Sequence, residues 1–283
     1  MRALRREGHE AVGTYRTYPM DGYDRLDVTD GPAAERIIRR TRPDWIFCPA
    51  GMTRADLCEE RPEEARRHIV DGPLQLGRLG QQIGAGFVYY SSSYVFDGYA
   101  GPYGEEDSPN PINVYGRCKW EAEQAIQAQL DRWLILRTIV VYGPEAQGKN
   151  FVCQVLRAAQ TGTRMPVPVD QISNTTYSED LARSSVELAE RNQTGLYHLA
   201  GSDSVDRYTF GRFVCEVFGY DSSFLDPLPT SKMFQRALRP LHAGLRVDKA
   251  RDELRTHLRG ALDGLQAMKE EMAGREAVGR RVG

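Results

Sequence analysis

Short apolar runs separated by helix-forming segments limit the folds that this chain can adopt. The runs at 44–48, 86–91 and 133–137 are apolar almost throughout. Segments of helical character are predicted at 33–40, 62–82 and 114–129. Strands that are apolar along their whole length are typical of a parallel sheet covered by helices on both faces. Right-handed crossovers then predict an α/β fold, a Rossmann-like doubly wound parallel sheet.

The alternation weakens after about residue 143. Helices are predicted at 151–160, 178–191 and 209–218, with a short strand at 195–199 and a Pro/Val-rich loop after the first of these helices. This part of the chain predicts a smaller C-terminal lobe beside the sheet. The Gly- and Arg-containing tail at 274–283 is expected to fray.

Composition excludes several classes of protein. The 283 residues carry a net charge of -2 with acidic and basic residues interleaved, which argues against a nucleic-acid partner. No apolar stretch is long enough to cross a bilayer, and the first residues do not resemble a signal peptide. The 5 cysteines include no CxxC pair, so neither a disulfide framework nor a metal site is predicted. We expect a cytoplasmic protein.

A tyrosine and a lysine lie four residues apart in the predicted helix at 114–129. This spacing puts Tyr115 and Lys119 on one helix face, where the ammonium can stabilise a phenolate and lower the pKa of the phenol. Such a phenol can protonate the oxygen of a carbonyl that is being reduced. Ser92 follows a predicted buried strand, at the edge where open α/β sheets place their ligands. Its hydroxyl could hydrogen-bond the same oxygen.

The residues around these three form a long composite motif. It reads YSSSYVFDG at 90–98, PYGEED at 102–107 and PINVYG at 111–116, with supporting matches such as LRT at 136–138, DQISN at 170–174 and RP at 239–240. The motif closely resembles the dTDP-4-dehydrorhamnose reductase group of the extended short-chain dehydrogenase/reductase superfamily. It also resembles the regulatory β subunit of methionine adenosyltransferase.

The resemblance implies a role for many residues. It implies a nucleotide-binding domain at 1–143, N-terminally incomplete, and a mainly substrate-binding lobe at 144–273. The implied catalytic residues are Ser92, Tyr115 and Lys119. The implied cofactor-binding residues are Arg16, Asp27, Val28, Ala50, Gly51, Met52, Tyr115 and Lys119. The implied substrate-facing residues are Ser93, Val140, Asn150, Phe151, Asn174 and Arg239. Arg16 is placed to meet a 2'-phosphate, which favours NADP over NAD.

The sequence departs from the family pattern at several points. Ile69 stands where the superfamily has an asparagine that supports the lysine, Ser93 where the family has an aspartate, and Val140 where the rhamnose enzymes have an aromatic residue. The usual first strand and glycine-rich turn do not precede Val12. Either a mis-set or truncated start or a lost need for the cofactor would explain this. We expect either a gap at the sheet centre, where that strand normally pairs, or marginal stability.

Three functions therefore stay open. The first is NADP-dependent reduction of a keto group on a nucleotide sugar. The second is a regulatory or binding module of the same fold, favoured by Ile69 and the absent turn. The third is a nucleotide-sugar epimerase or dehydratase, for which Ser93 supplies no further acid or base. The resemblance is also compatible with a homodimer.

Overall fold

The computed structural model describes residues 1–279 and contains a central parallel sheet with helices on both faces. The α-helices are α1 (Arg2–Arg6), α2 (Gly31–Thr41), α3 (Ala55–Glu60), α4 (Pro62–Arg66), α5 (Gly72–Gln81), α6 (Val114–Gln129), α7 (Phe151–Thr161), α8 (Ser178–Glu190), α9 (Arg207–Phe218), α10 (Asp248–Glu253) and α11 (Ala261–Gly279). The strands are β1 (Thr14–Tyr15), β2 (Asp24–Arg25), β3 (Trp45–Cys48), β4 (Gly86–Ser92), β5 (Trp133–Thr138), β6 (Val141–Tyr142), β7 (Met165–Pro168), β8 (Ile172–Asn174), β9 (Thr176–Tyr177), β10 (Gly195–His198), β11 (Ser204–Asp206) and β12 (Leu225–Leu228). None of the helices in this part of the chain combines the length and apolarity needed to span a bilayer.

The central sheet has the strand order β10-β5-β4-β3, and every pair in it is parallel. Successive side chains of β4 enter different cores. Phe87 and Tyr89 pack in one cluster with residues of α5 and α6, whereas Val88 packs in another with residues of α8. A strand buried on both faces needs apolar residues at consecutive positions, which is the pattern of the apolar runs. The predicted doubly wound α/β fold is confirmed.

The sheet is interrupted on one side. β1 and β2 pair only with each other among the described residues, and β3 is the edge strand of the four-stranded sheet. The predicted gap is therefore confirmed. It separates the two-stranded sheet, which precedes Asp27, from β3, which precedes Gly51, and from β4, which ends at Ser92.

The second lobe packs around its own apolar core. Residues of α7, α9 and α11 form this core together with β7 and β12, which pair in parallel. The prediction of a loop at the position of β7 was wrong, because pairing with a distant strand orders that segment. The division at residue 143 is also not clean, since β10, assigned to the lobe at 144–273, pairs with β5 in the central sheet.

The C-terminal end differs from the expected frayed tail. The helix α11 continues to Gly279, so residues 274–279 extend it, and residues 280–283 lie outside the described part of the chain.

The segment predicted as one helix at 62–82 is interrupted. A π-helical turn, Arg67–Asp71, lies between α4 and α5. Pro73 lies four residues after Ile69 and has no N–H, so the helical hydrogen bond to the Ile69 carbonyl cannot form. This carbonyl is available to another donor.

A buried ion pair fastens α6 to the sheet. Arg137 Nη2 of β5 lies 2.7 Å from Glu123 Oε2, and the two side chains are 2% and 0% exposed. A second contact joins Arg137 Nε to Glu123 Oε1 at 3.0 Å. Removing one member of such a pair leaves the other charge buried without its partner.

We predict that Glu123→Ala lowers the free energy of unfolding by about 3–5 kcal/mol, measured by urea denaturation. The control is Glu121→Ala, which breaks the exposed ion pair with Arg66 and is expected to cost at most about 1 kcal/mol. Equal losses in the two variants would contradict a structural role for the buried pair.

Candidate active site

The carboxyl end of β4 places a hydroxyl at the edge of the sheet. Ser92 is the last residue of β4 and lies opposite Thr138, the last residue of β5. Its Oγ accepts a hydrogen bond of 3.2 Å from the backbone N–H of Tyr94, in the short 3-10 turn Ser93–Val95. The Ser92 side chain is therefore held at the position where the sequence predicted ligand chemistry.

The start of α6 places a phenol beside this hydroxyl. The Asn113 side chain caps the helix by accepting a hydrogen bond of 2.8 Å from the N–H of Gly116. A Cβ at Gly116 would collide with the Tyr94 carbonyl, so glycine lets the helix begin against the 3-10 turn. The Tyr94 and Tyr115 rings meet edge to face at 5.7 Å. Tyr115, one residue before this glycine, thus lies close to Ser92.

One turn further along α6, Lys119 points into the protein. Its Nζ donates a hydrogen bond of 2.6 Å to the Tyr90 carbonyl and lies 5.9 Å from the centre of the Tyr115 ring. The residue is 5% exposed. The structure therefore brings Ser92, Tyr115 and Lys119 together, as the sequence predicted, and their catalytic role stays a prediction.

Burial dominates the ionisation of the phenol and the ammonium. It lowers the pKa of Lys119 from 10.5 to about 8, because a charged ammonium loses its hydration there. Burial also raises the pKa of Tyr115, and the nearby Ser92 hydroxyl opposes this only in part. The sequence predicted the opposite direction for Tyr115. In this structure the loss of hydration on burial is the largest influence on the phenol.

Two groups of predicted cofactor-binding residues lie on opposite sides of the gap. Ala50, Gly51 and Met52 follow β3, and a Cβ at Gly51 would lie 4.0 Å from Lys119 Nζ. Beyond the gap, Arg16 Nε lies 3.0 Å from Asp27 Oδ2.

In the second group, which contains Arg16, Asp27 and Val28, the side chains are held by contacts with other residues of the chain. Asp27 accepts hydrogen bonds from the backbone and hydroxyl of Thr29, at 3.0 and 2.8 Å, and Val28 is buried. In the first group, Gly51 is adjacent to Lys119. No glycine-rich turn for a pyrophosphate is present in the sequence.

A pocket opens next to Tyr94 on the side of the second lobe. It is lined by Tyr94, Ile139, Gln171, Ile172, Ser173, Arg207, Pro240 and Ala243. The Arg207 guanidinium lies 5.2 Å from the centre of the Phe151 ring. Burial, together with the nearby Arg239, lowers the pKa of Arg207 below its ordinary value. Two cationic groups thus lie close to the tyrosine that contacts Tyr115.

Arg239, predicted to face the substrate, is tied down by one of its nitrogens. Nη2 lies 2.7 Å from Asp56 Oδ2, whereas Nη1 is buried and has no hydrogen-bond partner among the described residues. Phe151, also predicted to face the substrate, stacks on Phe210 at 5.8 Å. Its other neighbour is the Arg207 guanidinium described above.

Two residues that were predicted to face the substrate, Asn174 and Asn150, form hydrogen bonds within the chain. Asn174 is 2% exposed, and its amide bonds the backbone of Leu245 through both oxygen and nitrogen, at 2.7 and 3.2 Å. The Asn150 side chain caps α7 by accepting from the N–H of Cys153 at 3.1 Å and donates to the Gly143 carbonyl at 2.9 Å. Each amide is engaged inside the chain, and contact of either residue with a substrate stays a prediction.

The two substituted positions behave differently from each other. Val140 has a φ of 46°, a left-handed conformation that strains a β-branched residue. Ser93 is fully buried, and its hydroxyl has no hydrogen-bond partner among the described residues. A buried serine hydroxyl adds no acid or base beside Ser92.

Sequence reasoning missed Arg207, Tyr94 and Tyr89 as neighbours of the site. Arg207 lies almost ninety residues after Lys119 in sequence and carries no motif. Tyr94 and Tyr89 lie within the matched block or next to it, so aromatic residues flanking Ser92 were an available signal. Among the described residues, no group of three or more His, Cys, Asp or Glu side chains could hold a metal ion.

The parallel sheet, with a serine at a strand end and a Tyr-Lys pair on the following helix, defines a Rossmann-type protein of the short-chain dehydrogenase/reductase class. The RmlD substrate binding domain family matches residues 1–273, and the chain belongs to this family.

Known relatives agree with this assignment. The chain is 35% identical over 205 residues to a dTDP-4-dehydrorhamnose reductase of Sinorhizobium fredii, covering 70% of this chain and 69% of that protein. It is 30% identical over 230 residues to methionine adenosyltransferase 2 subunit beta of Bos taurus, covering 79% and 69%. The crystal structure of dTDP-4-dehydrorhamnose reductase from Bacillus anthracis in complex with NADP matches with a TM-score of 0.82 and 25% identity, covering 90% and 92%. The predicted resemblance is confirmed for both groups of relatives.

The buried ammonium predicts a pH-dependent stability. Between the pKa of about 8 in the folded chain and 10.5 in the unfolded chain, only the unfolded chain holds the proton. The wild type therefore gains stability as pH rises through this window. We expect a gain of about 2 kcal/mol relative to Lys119→Met between about pH 7.5 and about pH 9.5, measured by chemical denaturation.

Lys232→Met, at an exposed lysine, is the matched control for the loss of one positive charge. If the wild type shows the same pH trend relative to both variants, Lys119 is not the group responsible.

Proposed function

We propose that this protein is an NADP(H)-dependent reductase of a keto group on a nucleotide sugar. The observation that carries the proposal is the buried Lys119 ammonium beside Tyr115, with the Ser92 hydroxyl also next to the phenol. Burial of a cation is costly, so a site that retains one next to a phenol suits proton transfer better than passive packing. The relatives named as reductases support the same chemistry.

In this proposal the protein positions a carbonyl and supplies one proton. NADPH, when bound, supplies the hydride that adds to the carbonyl carbon. Ser92 Oγ donates a hydrogen bond to the carbonyl oxygen, and Tyr115 Oη delivers its proton to that oxygen as negative charge develops there. The product is an alcohol, and the phenol is left as a phenolate.

Lys119 acts on the state that follows proton transfer. Its ammonium, 5.9 Å from the Tyr115 ring, stabilises the phenolate by charge attraction. Since burial raises the pKa of Tyr115, the phenol keeps its proton at neutral pH until the substrate oxygen requires it. The phenol is therefore in the protonated form that reduction requires, and the nearby cation stabilises the phenolate that donation leaves.

The proposed preference for NADP rests on the Arg16 guanidinium. A 2'-phosphate would compete with Asp27 for the Arg16 guanidinium, now 3.0 Å from that carboxylate. A charge-assisted contact between arginine and phosphate is strong enough to do so. We therefore favour NADP, with NAD as the alternative.

Arg207 is the proposed contact for the diphosphate of the nucleotide sugar. Among the described residues it forms no ion pair with a carboxylate, unlike Arg239, which pairs with Asp56. It lines the pocket that adjoins Tyr94, and Tyr94 contacts Tyr115. A diphosphate held at Arg207 would let the attached sugar extend past Tyr94 toward the phenol.

A regulatory or binding module is the second candidate. The relationship to a β subunit of methionine adenosyltransferase is compatible with such a role. The epimerase or dehydratase alternative has less support, since the Ser93 hydroxyl is buried. A cytoplasmic location and a homodimer remain part of the proposal.

Cofactor binding separates these functions. We expect the 283-residue chain to bind NADPH weakly in a fluorescence titration, and a form with a β-strand and a G-x-x-G-x-x-G turn fused ahead of Met1 to bind more tightly. NADH is titrated in parallel. If neither form binds either cofactor, the reductase proposal fails and the regulatory module is favoured.

For whichever form turns over a nucleotide keto-sugar, we predict that Tyr115→Phe lowers kcat by about 10²- to 10⁴-fold, because the proton donor is lost. Tyr99→Phe, at a tyrosine that is 84% exposed, is the control and should leave kcat unchanged. Full activity in Tyr115→Phe would refute the assigned proton donor.

Arg207→Met should raise KM for the nucleotide sugar by about 10- to 100-fold with little change in kcat, because a hydrogen bond to a charged group is lost. Arg212→Met, on the exposed side of the same helix, is the matched control. An unchanged KM in Arg207→Met would place the diphosphate elsewhere.

A further inference from the structure

Pro73 leaves one backbone carbonyl without its helical donor, close to the active site. The carbonyl belongs to Ile69, in the π-helical turn between α4 and α5. Ile69 is fully buried, so water cannot supply the missing hydrogen bond cheaply. A Cβ at Gly51 would lie 3.9 Å from the Ile69 side chain and 4.0 Å from Lys119 Nζ, which puts the turn, the strand end and the ammonium side by side.

Tyr89 supplies the missing donor. Its hydroxyl donates a hydrogen bond of 2.9 Å to the Ile69 carbonyl. The residue is 0% exposed and lies in the core formed with α5 and α6. The same ring presents its face to Lys119, with Nζ 4.6 Å from the ring centre. One side chain therefore bridges the interrupted helix and the ammonium.

We propose that Tyr89 is a positioning residue for Lys119. Its hydroxyl is anchored on the π-helical turn, and its ring holds the ammonium in place for Tyr115. A cation over an aromatic ring is attracted by the partial negative charge of the ring face, and the attraction is strongest where water is excluded. The ring and the Tyr90 carbonyl then fix Nζ from two directions. The consequence for turnover rests on the proposed function, whereas the effect on Lys119 itself does not.

The other groups around Lys119 do not take over this task. The titratable groups that influence the pKa of Lys119 lie on three elements: Cys48 on β3, Cys58 on α3, and Cys118 and Glu123 on α6. Burial raises the pKa of all three thiols, so they are neutral at physiological pH. Glu123 is charged, but it is paired with Arg137. The Tyr90 carbonyl accepts the hydrogen bond of the ammonium, and the Tyr89 ring faces the ammonium as a second contact.

The experiment measures the pKa of Lys119 directly in the full chain without added cofactor. The chain contains 5 lysines, so labelling lysine with carbon-13 at Cε gives few NMR signals, and Lys119→Met assigns the relevant one. We expect Tyr89→Met to lower the pKa of Lys119 by about 0.5 to 1.5 units, because the cation–π contact is lost. Tyr89→Phe keeps the ring and should lower it by less than half as much.

Controls separate the ring from general damage to the core. Phe87→Leu removes another buried ring from the same core, two residues earlier on the same face of β4, and should leave the pKa of Lys119 unchanged. Tyr89→Leu is made in parallel, so that the conclusion does not depend on one replacement, and the other lysine signals report the fold. An unchanged pKa of Lys119 in a folded Tyr89→Met or Tyr89→Leu variant would overturn the proposal. So would an equal shift in Tyr89→Phe, which would give the hydroxyl the role assigned to the ring.

Turnover provides a separate readout. If the reductase function holds, the high-pH fall of kcat in Tyr89→Met should move to lower pH by the same amount as the NMR pKa. A chain that shows the NMR shift but no turnover would retain the positioning role and reject the reductase. A variant that shows turnover with an unshifted pH profile would reject the positioning role.

Discussion

The burial of one ammonium group governs the geometry of the candidate site. A buried cation is tolerated only where acceptors and other favourable contacts offset its lost hydration. Lys119 meets this condition at the end of β4, where the Tyr90 carbonyl accepts a hydrogen bond from the ammonium and the Tyr89 ring faces it. Because α6 must deliver the ammonium to this point, Tyr115 one turn earlier reaches Ser92. Glu123 one turn later fixes the same helix through Arg137.

The gap in the sheet separates two groups of candidate site residues. Ser92, Tyr115 and Lys119 rest on β4, α6 and the 3-10 turn after Ser92, all on one side of the gap. Arg16 and Asp27 lie beyond it, next to the two-stranded sheet. The positions of Ser92, Tyr115 and Lys119 therefore do not depend on β1 and β2, which precede Asp27.

Local patterns predicted the fold where elements are formed by local forces. The range of α6 was predicted without error, because its cap, its periodicity and its final residues are all readable from the sequence. The pairing of β10 with β5 and the ordering of β7 by β12 were missed, since strand pairing joins segments far apart in sequence. The break at Arg67–Asp71 was also missed, although Pro73 was visible and removes a helical donor.

The sequence by itself determined which chemical groups are available and how they are phased. Tyr115, Lys119 and Glu123 recur every fourth residue, so any helix there must present them on one face. Only the tertiary structure decided their protonation, because the pKa of a group depends on how much water is excluded around it. It also decided that Arg207 joins the pocket and that Tyr89 bonds the Ile69 carbonyl. Such contacts are set by which elements pack together, and no local pattern records that.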